Sequence, residues 1–424
     1  MDDEILQKAQ DALRMAPLTG DPVYLDFPAI LYDQLAKHWP QIQKANRDDI
    51  AGVMRRRSPA LAERLRLGPA HLRELAALTS MVARELSELR SPAPLRPYRG
   101  MLTVRRVAKP LGVIFMIYEG RPTVTVEGAL LPIVMGNSVI LRGGHEIART
   151  NAALAVAVDG ALEKCALPAG MAQVIEDGDR SRLRALIRSD DQIDVVIARG
   201  SPSLLDYCRR ASAIPIIASG GGVNHMYVHR SADLGLAVEC VLDSKLADPA
   251  GCTALEMVLA DDIIAGELID ALASRSRSSG ARAFTLCLPP EFAERLSGTG
   301  QIGVRTISER DNGREFLDET IALRTVPGLA GAVEHIRAYG SMHTEGIVAS
   351  IPAVIADFCR LIDAATVVVN GSLRLHDGPA MGLGAELAIS TGRLHVRGPV
   401  TLESLATYSW VVEAHNGAYP QLVP

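Results

Sequence analysis

The spacing of hydrophobic residues divides the chain into two parts of different texture. Up to about residue 95, leucine and alanine recur at helical spacing among arginine and glutamate, as in residues 70–86. This periodicity predicts a helical segment at the start of the chain. From Leu111 onward, short apolar runs bounded by glycine and proline take its place.

The short apolar runs predict buried strands. A first set covers residues 111–118, 138–141, 193–197 and 214–218, with helical spacing between them at 125–135 and 151–162; a second set covers 256–259, 284–288, 346–350 and 366–369. Strands that alternate with helices and are apolar throughout indicate parallel sheets covered on both faces. The predicted fold class is therefore α/β, with two α/β units and a cleft between them for a ligand.

Composition narrows the class of protein. The chain has 424 residues, of which 48% are hydrophobic and 22% charged, as expected for a well-buried globular protein of more than one domain. Its net charge of -5 argues against nucleic acid as the main partner. No apolar run is long enough to cross a bilayer, and the N-terminus is acidic where a signal peptide would be basic.

The cysteines point to a reducing compartment. There are six of them, at positions 165, 208, 240, 252, 287 and 359, with no CxxC pair and no cluster of cysteine and histidine. This scatter fits the cytoplasm and gives no support for a structural zinc site, so no metal is expected.

One cysteine has the context of a nucleophile. Cys252 follows Asp248 and Pro249, which suit the N-cap and first position of a helix, and this predicts that the cysteine lies in the first helical turn. The positive end of a helix dipole would favour the thiolate there. The alternative is a buried structural cysteine, the usual fate of this residue type.

Three glycine-rich segments are candidates for ligand-binding loops. Arg142-Gly143-Gly144 follows a predicted strand and precedes a helix, where backbone amides and a cation favour a phosphate; an ordinary turn with a surface arginine is the alternative. The run 219–222 indicates a backbone that passes close to a ligand or to another strand, or else a flexible loop. The segment 381–386, behind His376-Asp377-Gly378, has the composition of a loop that lines a site.

Taken together, several segments resemble the γ-glutamyl phosphate reductases of the aldehyde dehydrogenase superfamily. They are PLGVI at 110–114, IYEGRP at 117–122, GNSVILRGG at 136–144, DSK at 243–245, PAGCTALE at 249–256, HTEGI at 343–347, VN at 369–370, GLGAELAISTGRL at 382–394 and HVRGP at 395–399. They occur in the expected order along essentially the whole chain. The implied fold is aldehyde dehydrogenase-like: a Rossmann-like nucleotide-binding domain, an α/β catalytic domain and a small oligomerisation element.

The resemblance implies a reductive reaction through a thioester. Cys252 would displace phosphate from L-glutamyl 5-phosphate, and NADPH would reduce the thioester to L-glutamate 5-semialdehyde, a step of proline biosynthesis linked to a glutamate kinase. The backbone N–H of Cys252 would bind the oxyanion. Ser219 lies where hydrolytic relatives have a glutamate base, so the thioester would not be lost to water.

The resemblance also implies how the chain divides into domains and which residues contact the cofactor and the substrate. Residues 1–235 would form the nucleotide-binding domain, 236–370 the catalytic domain, and 371–424 a return segment whose tail joins a hairpin at 97–109 in a homo-oligomer. The expected cofactor contacts are Arg142, Gly143, Gly144, Gly220 and Gly221, with Arg142 at the 2′-phosphate of NADPH. The expected substrate contacts are Glu119, Arg121, Asn137, His225, Thr253, Glu345, Arg374 and Asp377.

Some positions depart from the pattern of the family and keep two alternatives open. Gly120 and Thr123 replace serine and asparagine, Thr253 replaces asparagine, and Leu373 and 379–381 lack the usual polar residues. Because a site that hydrogen-bonds one group discriminates strongly against its absence, a related acyl phosphate is an alternative substrate. A catalytically silent paralogue that binds a nucleotide or a partner is the other alternative.

Overall fold

A computed structural model describes residues 2–55, 59–89, 96–98, 102–175, 180–276, 283–297 and 303–414. The chain forms two compact units. The first consists of Met1–Ala218, Leu383–Ala388 and Val400–Pro424, and the second of Ser219–Gly382 and Ile389–Pro399. Within the described ranges, no helix has both the length and the apolar character needed to span a bilayer.

The first unit joins a helical segment to a parallel sheet, as predicted. Its helices are α1 Asp2–Met15, α2 Val23–Arg55, α3 Pro59–Leu65, α4 Pro69–Leu89, α5 Thr123–Val134, α6 Ala148–Lys164, α7 Arg180–Leu186 and α8 Pro202–Ala211. Its strands up to residue 219 are β1 Arg96–Tyr98, β2 Leu102–Pro110, β3 Val113–Tyr118, β4 Ser138–Arg142, β5 Ala172–Val174, β6 Val195–Arg199 and β7 Ile216–Ser219. The five-stranded sheet has the order β5-β4-β3-β6-β7.

The second unit is built on a seven-stranded sheet of order β11-β10-β12-β9-β8-β13-β14. The strands are β8 Asn224–Val228, β9 Leu255–Asp261, β10 Thr285–Leu288, β11 Gly303–Thr306, β12 Thr320–Val326, β13 Thr344–Val348 and β14 Thr366–Val369. The helices are α9 Leu234–Leu246, α10 Ala265–Ser276, α11 Pro290–Ser297, α12 Gly328–Tyr339 and α13 Pro352–Leu361. Neighbouring strands pair in parallel, and apolar clusters cover the sheet.

The last strands of the chain are β15 Glu386–Ser390, β16 Gly398–Thr401 and β17 Ala406–Ala414. In the first unit, β17 pairs antiparallel with β2 along its whole length, and β1 pairs with the other side of β2. The hairpin predicted at 97–109 and the C-terminal tail therefore form one small sheet; residues 99–101 of this prediction lie outside the described residues.

The α/β prediction is confirmed, but the division of the chain differs from the expected one. It falls at Ser219 instead of near residue 235, because β8 is an inner strand of the seven-stranded sheet. The return to the first unit begins at Leu383 instead of residue 371, because residues 371–382 pack with the second unit. Sequence reasoning did not identify β8, whose Asn224 and His225 interrupt its apolar pattern.

Three histidines of the second unit, the buried His343 and His376 and the half-buried His335, have strongly lowered pKa values. The hydroxyl of Thr344 lies 2.7 Å from Nδ1 of His343 and 2.8 Å from Nδ1 of His376, so one threonine bridges two imidazoles. Burial lowers the pKa of His343 to about 3 and that of His376 to about 4. Burial also lowers the pKa of His335 to about 4. These side chains are therefore neutral in the folded protein at mildly acidic pH.

We expect these histidines to make the protein sensitive to acid. Because an unfolded histidine titrates near pH 6.5, the unfolded chain binds protons that the folded chain excludes between about pH 6.5 and pH 4. The unfolding free energy should fall as the pH is lowered through that window, by up to about 1.4 kcal/mol per pH unit for each histidine. The His343→Asn variant should lose one such increment of slope in urea unfolding measured from pH 7 to pH 4.

The exposed His145 provides the matched control for this measurement. The His145→Asn variant should keep the slope of the parent protein. An unchanged slope in His343→Asn would contradict the assignment of a buried neutral imidazole.

Candidate active site

Cys252 is exposed and lies in the loop between α9 and β9. Here the predicted helix start is wrong: α9 ends at Leu246, before the cysteine, and Asp248 caps no helix. Two consecutive turns follow instead, with the N–H of Gly251 donating to the carbonyl of Asp248 at 3.1 Å and that of Ala254 to Gly251 at 3.0 Å. The buried strand β9 begins three residues after Cys252, too soon for a helix to form.

The side chain of Asn224 fixes the peptide of the cysteine. Its Nδ2 donates to the carbonyl oxygens of Cys252 and Ala254, at 2.8 Å in each case. Its Oδ1 accepts from the N–H of Thr344 at 3.2 Å. Asn224 is fully buried, so these bonds are shielded from water. The loop is therefore anchored to the starts of two neighbouring strands, β8 and β13.

The glycine run after β7 lies against the same loop. A Cβ added at Gly222 would stand 1.9 Å from the carbonyl oxygen of Cys252, and one at Gly221 would stand 2.1 Å from Oε1 of Glu315. The N–H of Gly222 donates to the same Glu315 oxygen at 3.0 Å. The sequence predicts that the backbone at Gly222 passes close to a ligand or to another strand. The close neighbour is the loop of the chain that carries Cys252. Gly220 and Gly221 are half-buried.

The second glycine segment ends β4 in the first unit. Gly143 is buried, and an added Cβ would lie 2.2 Å from Nδ2 of Asn151 and 3.1 Å from the ring of Tyr118. It therefore serves the packing of strand against helix, and its expected contact with a cofactor is not supported. Arg142 and Gly144 are half-buried, and Gly144 has the extended conformation (φ -64°, ψ 151°) before a 3-10 helix at His145–Ile147.

Three of the expected substrate contacts are wholly buried in the protein interior. Asn137 donates to the carbonyls of Pro132 and Leu405, at 3.1 and 2.9 Å, and accepts from the N–H of Gly112 at 3.1 Å. His225 and Glu345 bind each other, with Nδ1 of His225 3.1 Å from Oε2 of Glu345. Since these side chains are 0–1% exposed, the structure corrects their expected role to a structural one.

Two expected substrate contacts of the first unit are exposed. Oε2 of Glu119 accepts from the N–H of Ser201 at 2.8 Å, at the N-terminus of α8. Arg121 lines a surface cavity of about 310 Å³ together with Arg64 and His71. Glu119 is thus engaged in the fold, whereas Arg121 lines a space that a ligand can enter.

The other three expected contacts belong to the second unit. Thr253 is half-buried in the loop beside Cys252. Arg374 is exposed, and its Nη1 lies 3.2 Å from Oδ1 of Asp243. Asp377 accepts from the N–H of Ala380 at 3.0 Å and so shapes a turn. Thr253 is the one that directly adjoins the thiol-bearing residue.

Sequence reasoning missed two residues of this site. Asn224 holds the Cys252 carbonyl, and Glu315 receives the N–H of Gly222. Neither belongs to a motif that chemistry would single out, and each lies far from Cys252 in the sequence. Only the pairing of β8 with β9 brings Asn224 opposite Leu255 and within reach of the loop.

Comparison with known proteins identifies the family of the chain. A model of the aldehyde dehydrogenase family matches residues 31–281. The γ-glutamyl phosphate reductase of Roseiflexus castenholzii is 39% identical over 376 residues, which cover 88% of each chain. That of Escherichia coli O157:H7 is 37% identical over 384 residues and covers 89% of this chain and 90% of its own.

Solved structures lead to the same family. The crystal structure of γ-glutamyl phosphate reductase from Thermotoga maritima has a TM-score of 0.86 at 30% identity and covers 99% of both chains. An engineered glycolyl-CoA reductase with bound NADP⁺ has a TM-score of 0.69 at 15% identity, covers 98% of this chain and 97% of its own, and shares the fold. The chain therefore belongs to the aldehyde dehydrogenase family and, within it, to the γ-glutamyl phosphate reductases, which are oxidoreductases.

Proposed function

We propose that this protein reduces L-glutamyl 5-phosphate to L-glutamate 5-semialdehyde and phosphate, with NADPH as the reductant and Cys252 as the nucleophile. The observation that carries the proposal is the exposed thiol of Cys252 on a loop whose carbonyls are held by the buried Asn224. The names of the relatives support the substrate. The reaction would follow that of a glutamate kinase in proline biosynthesis, and the scattered thiols favour the cytoplasm as its location.

The thiolate of Cys252 would attack the acyl carbon of the phosphate anhydride. The bond between that carbon and the phosphate oxygen breaks, phosphate leaves with the electron pair, and a thioester forms. When bound, the nicotinamide cofactor supplies the hydride that the thioester carbonyl requires. Collapse of the resulting thiohemiacetal returns the thiolate and releases the aldehyde. The fixed backbone around Cys252 keeps the sulfur in one place through both steps.

The residue at the end of β7 suits transfer to phosphate better than hydrolysis. Ser219 is buried, and its hydroxyl accepts from the N–H of Ile389 at 3.3 Å. A hydroxyl with this partner has no basicity with which to activate water. This supports a thioester that persists until it is reduced.

Arg142 supports a cofactor with a 2′-phosphate. It ends β4, an inner strand of the parallel sheet in the first unit, and the carboxyl ends of such strands are the usual place for nucleotides. Its guanidinium suits a phosphate, and the backbone of Gly144 follows in an extended conformation. These two residues would hold NADPH.

A related acyl phosphate remains the second candidate substrate. Gly120, where the family usually has serine, has a φ of +69°, and a Cβ added there would come within 3.6 Å of Nη2 of Arg64. The surface beside Arg121 thus differs from that of the usual family member. A silent paralogue is disfavoured by the retained and accessible Cys252.

We also propose that the chain forms a homo-oligomer through β17. This strand is an edge of the small sheet, and Tyr408, Trp410 and Val412 are 49%, 59% and 57% exposed. Because alternate residues of a strand share a face, the three side chains form one apolar strip. A second copy would cover both the strip and the open edge.

Replacing Cys252 tests the nucleophile. With glutamate 5-semialdehyde, phosphate and NADP⁺, the parent protein should form NADPH only when phosphate is present. Cys252→Ala should lower this rate by about a thousandfold or more, because no thioester can form. Cys359, the other exposed cysteine, gives the matched control, and Cys359→Ala should keep the rate. Retained activity in Cys252→Ala would refute the proposed mechanism.

Replacing Arg142 tests the cofactor. Loss of one charge-assisted contact to the 2′-phosphate should raise the KM for NADPH by about tenfold in Arg142→Ala and leave the KM for NADH nearly unchanged. The exposed Arg149 of α6 provides the control variant Arg149→Ala. Equal effects on the two cofactors would remove Arg142 from this role.

Trp410→Glu tests the assembly. A charge in the apolar strip should convert the oligomer into monomers in sedimentation velocity, since withdrawing a carboxylate from water at an interface is costly. Ser409→Glu places the same charge on the opposite face of β17 and should leave the assembly intact. A parent protein that sediments as a monomer would contradict the proposal.

A further inference from the structure

A buried ion pair flanks the loop that carries Cys252. Lys245 is the penultimate residue of α9, and Glu256 is the second residue of β9, so they stand on either side of the loop in the sequence. Nζ of Lys245 lies 2.9 Å from Oε2 of Glu256, and the two side chains are 0% and 2% exposed. Two charges are thus withdrawn from water within a few residues of the nucleophile.

The pair also reaches the loop and a third segment. Nζ of Lys245 donates to the carbonyl of Pro249 at 3.3 Å, inside the loop itself. Oε2 of Glu256 accepts from the N–H of Phe316 at 3.0 Å, and Nζ of Lys245 lies 5.9 Å from the centroid of the Phe316 ring. The ion pair therefore joins helix, loop, strand and the segment before β12.

An irregularity in the sheet accompanies Glu256. Asn224 of β8 pairs with Leu255 and His225 pairs with Met257, so Glu256 has no partner of its own in this register. Such a bulge re-aims a side chain, and bulges are frequent beside active sites. In a regular ladder, His225 would pair with Glu256. Here Glu256 is an extra residue of β9 between Leu255, which pairs with Asn224, and Met257, which pairs with His225.

Stability alone is a weak reason for such a pair. The desolvation of two charges offsets most of their attraction, and apolar side chains of similar size often serve a protein interior equally well. Burial raises the pKa of the Glu256 carboxyl to about 7, and the Lys245 ammonium opposes that rise. The directional contact with Pro249 is what an apolar pair cannot supply.

We propose that Lys245 and Glu256 are positioning residues: Glu256 holds the ammonium of Lys245, which in turn holds the Pro249 carbonyl and thereby fixes the loop in the geometry that Cys252 needs to attack an acyl carbon. The role in catalysis rests on the proposed function of Cys252. The ordering of the loop by the ion pair does not rest on the proposed function, and it can be measured without substrate.

The test uses the double variant Lys245→Met/Glu256→Leu, because removal of one partner would leave a buried charge that destabilises the protein by itself. We expect its urea midpoint to stay close to that of the parent. Amides of the loop at 247–254 should exchange hydrogen at least about tenfold faster, while those at 258–260 of β9 keep their rate. The kcat should fall by about ten- to a hundredfold with little change in the KM for NADPH.

A second ion pair provides the matched control. Arg230 and Asp261 lie 2.9 Å apart, and Asp261 is at the far end of β9 from Glu256. Arg230→Met/Asp261→Asn should change neither the loop exchange nor kcat. This control shows whether the loss of an ion pair elsewhere on β9 has the same effect on loop exchange and kcat as the loss of the Lys245–Glu256 pair.

The outcomes separate the two proposals. Parental loop exchange and parental kcat in the folded double variant would overturn the positioning role. Faster loop exchange with an unchanged kcat would overturn its catalytic part. If Cys252→Ala kept its activity, the proposed function would fail, while the exchange rates would still report whether the pair orders the loop.

Discussion

A parallel sheet covered on both faces leaves only the ends of its strands for chemistry, and this constraint governs both units. In the second unit, Gly222, Cys252 and Glu315 all precede strands, namely β8, β9 and β12, so they gather at the amino end of the sheet. In the first unit, Glu119 and Arg142 follow or end β3 and β4, at the carboxyl end. Cys252, the proposed nucleophile, and Arg142, the proposed cofactor contact, thus lie at opposite strand ends of their respective sheets.

The same burial explains why polar residues are a poor guide to ligand contacts in this protein. A polar side chain inside the sheet must find internal partners, because an unpaired buried donor or acceptor is costly. Asn137 satisfies three backbone groups, and Glu345 lies beside His225 on the neighbouring strand and binds it. Both resemble ligand contacts in the sequence, whereas in the structure both hold the fold together.

Local signals and tertiary packing disagree at the cysteine. Asp248 and Pro249 are good helix-start residues, yet the chain turns there and enters β9. The strand prevails because its whole length is buried between β8 and β12, which outweighs the small free energy of one cap. No helix dipole is therefore available at Cys252, and its proposed reactivity would depend on the loop that Asn224 holds.

The sequence by itself determined the α/β class, most of the buried strands and the family, and it singled out Cys252 as the proposed nucleophile, because apolar runs and short motifs are local properties of the chain. Tertiary structure decided which polar residues are accessible, where the chain divides and what holds Cys252. The contacts of Asn224, Glu256 and Lys245 depend on strand register, a bulge and burial, and these exist only once distant segments have paired.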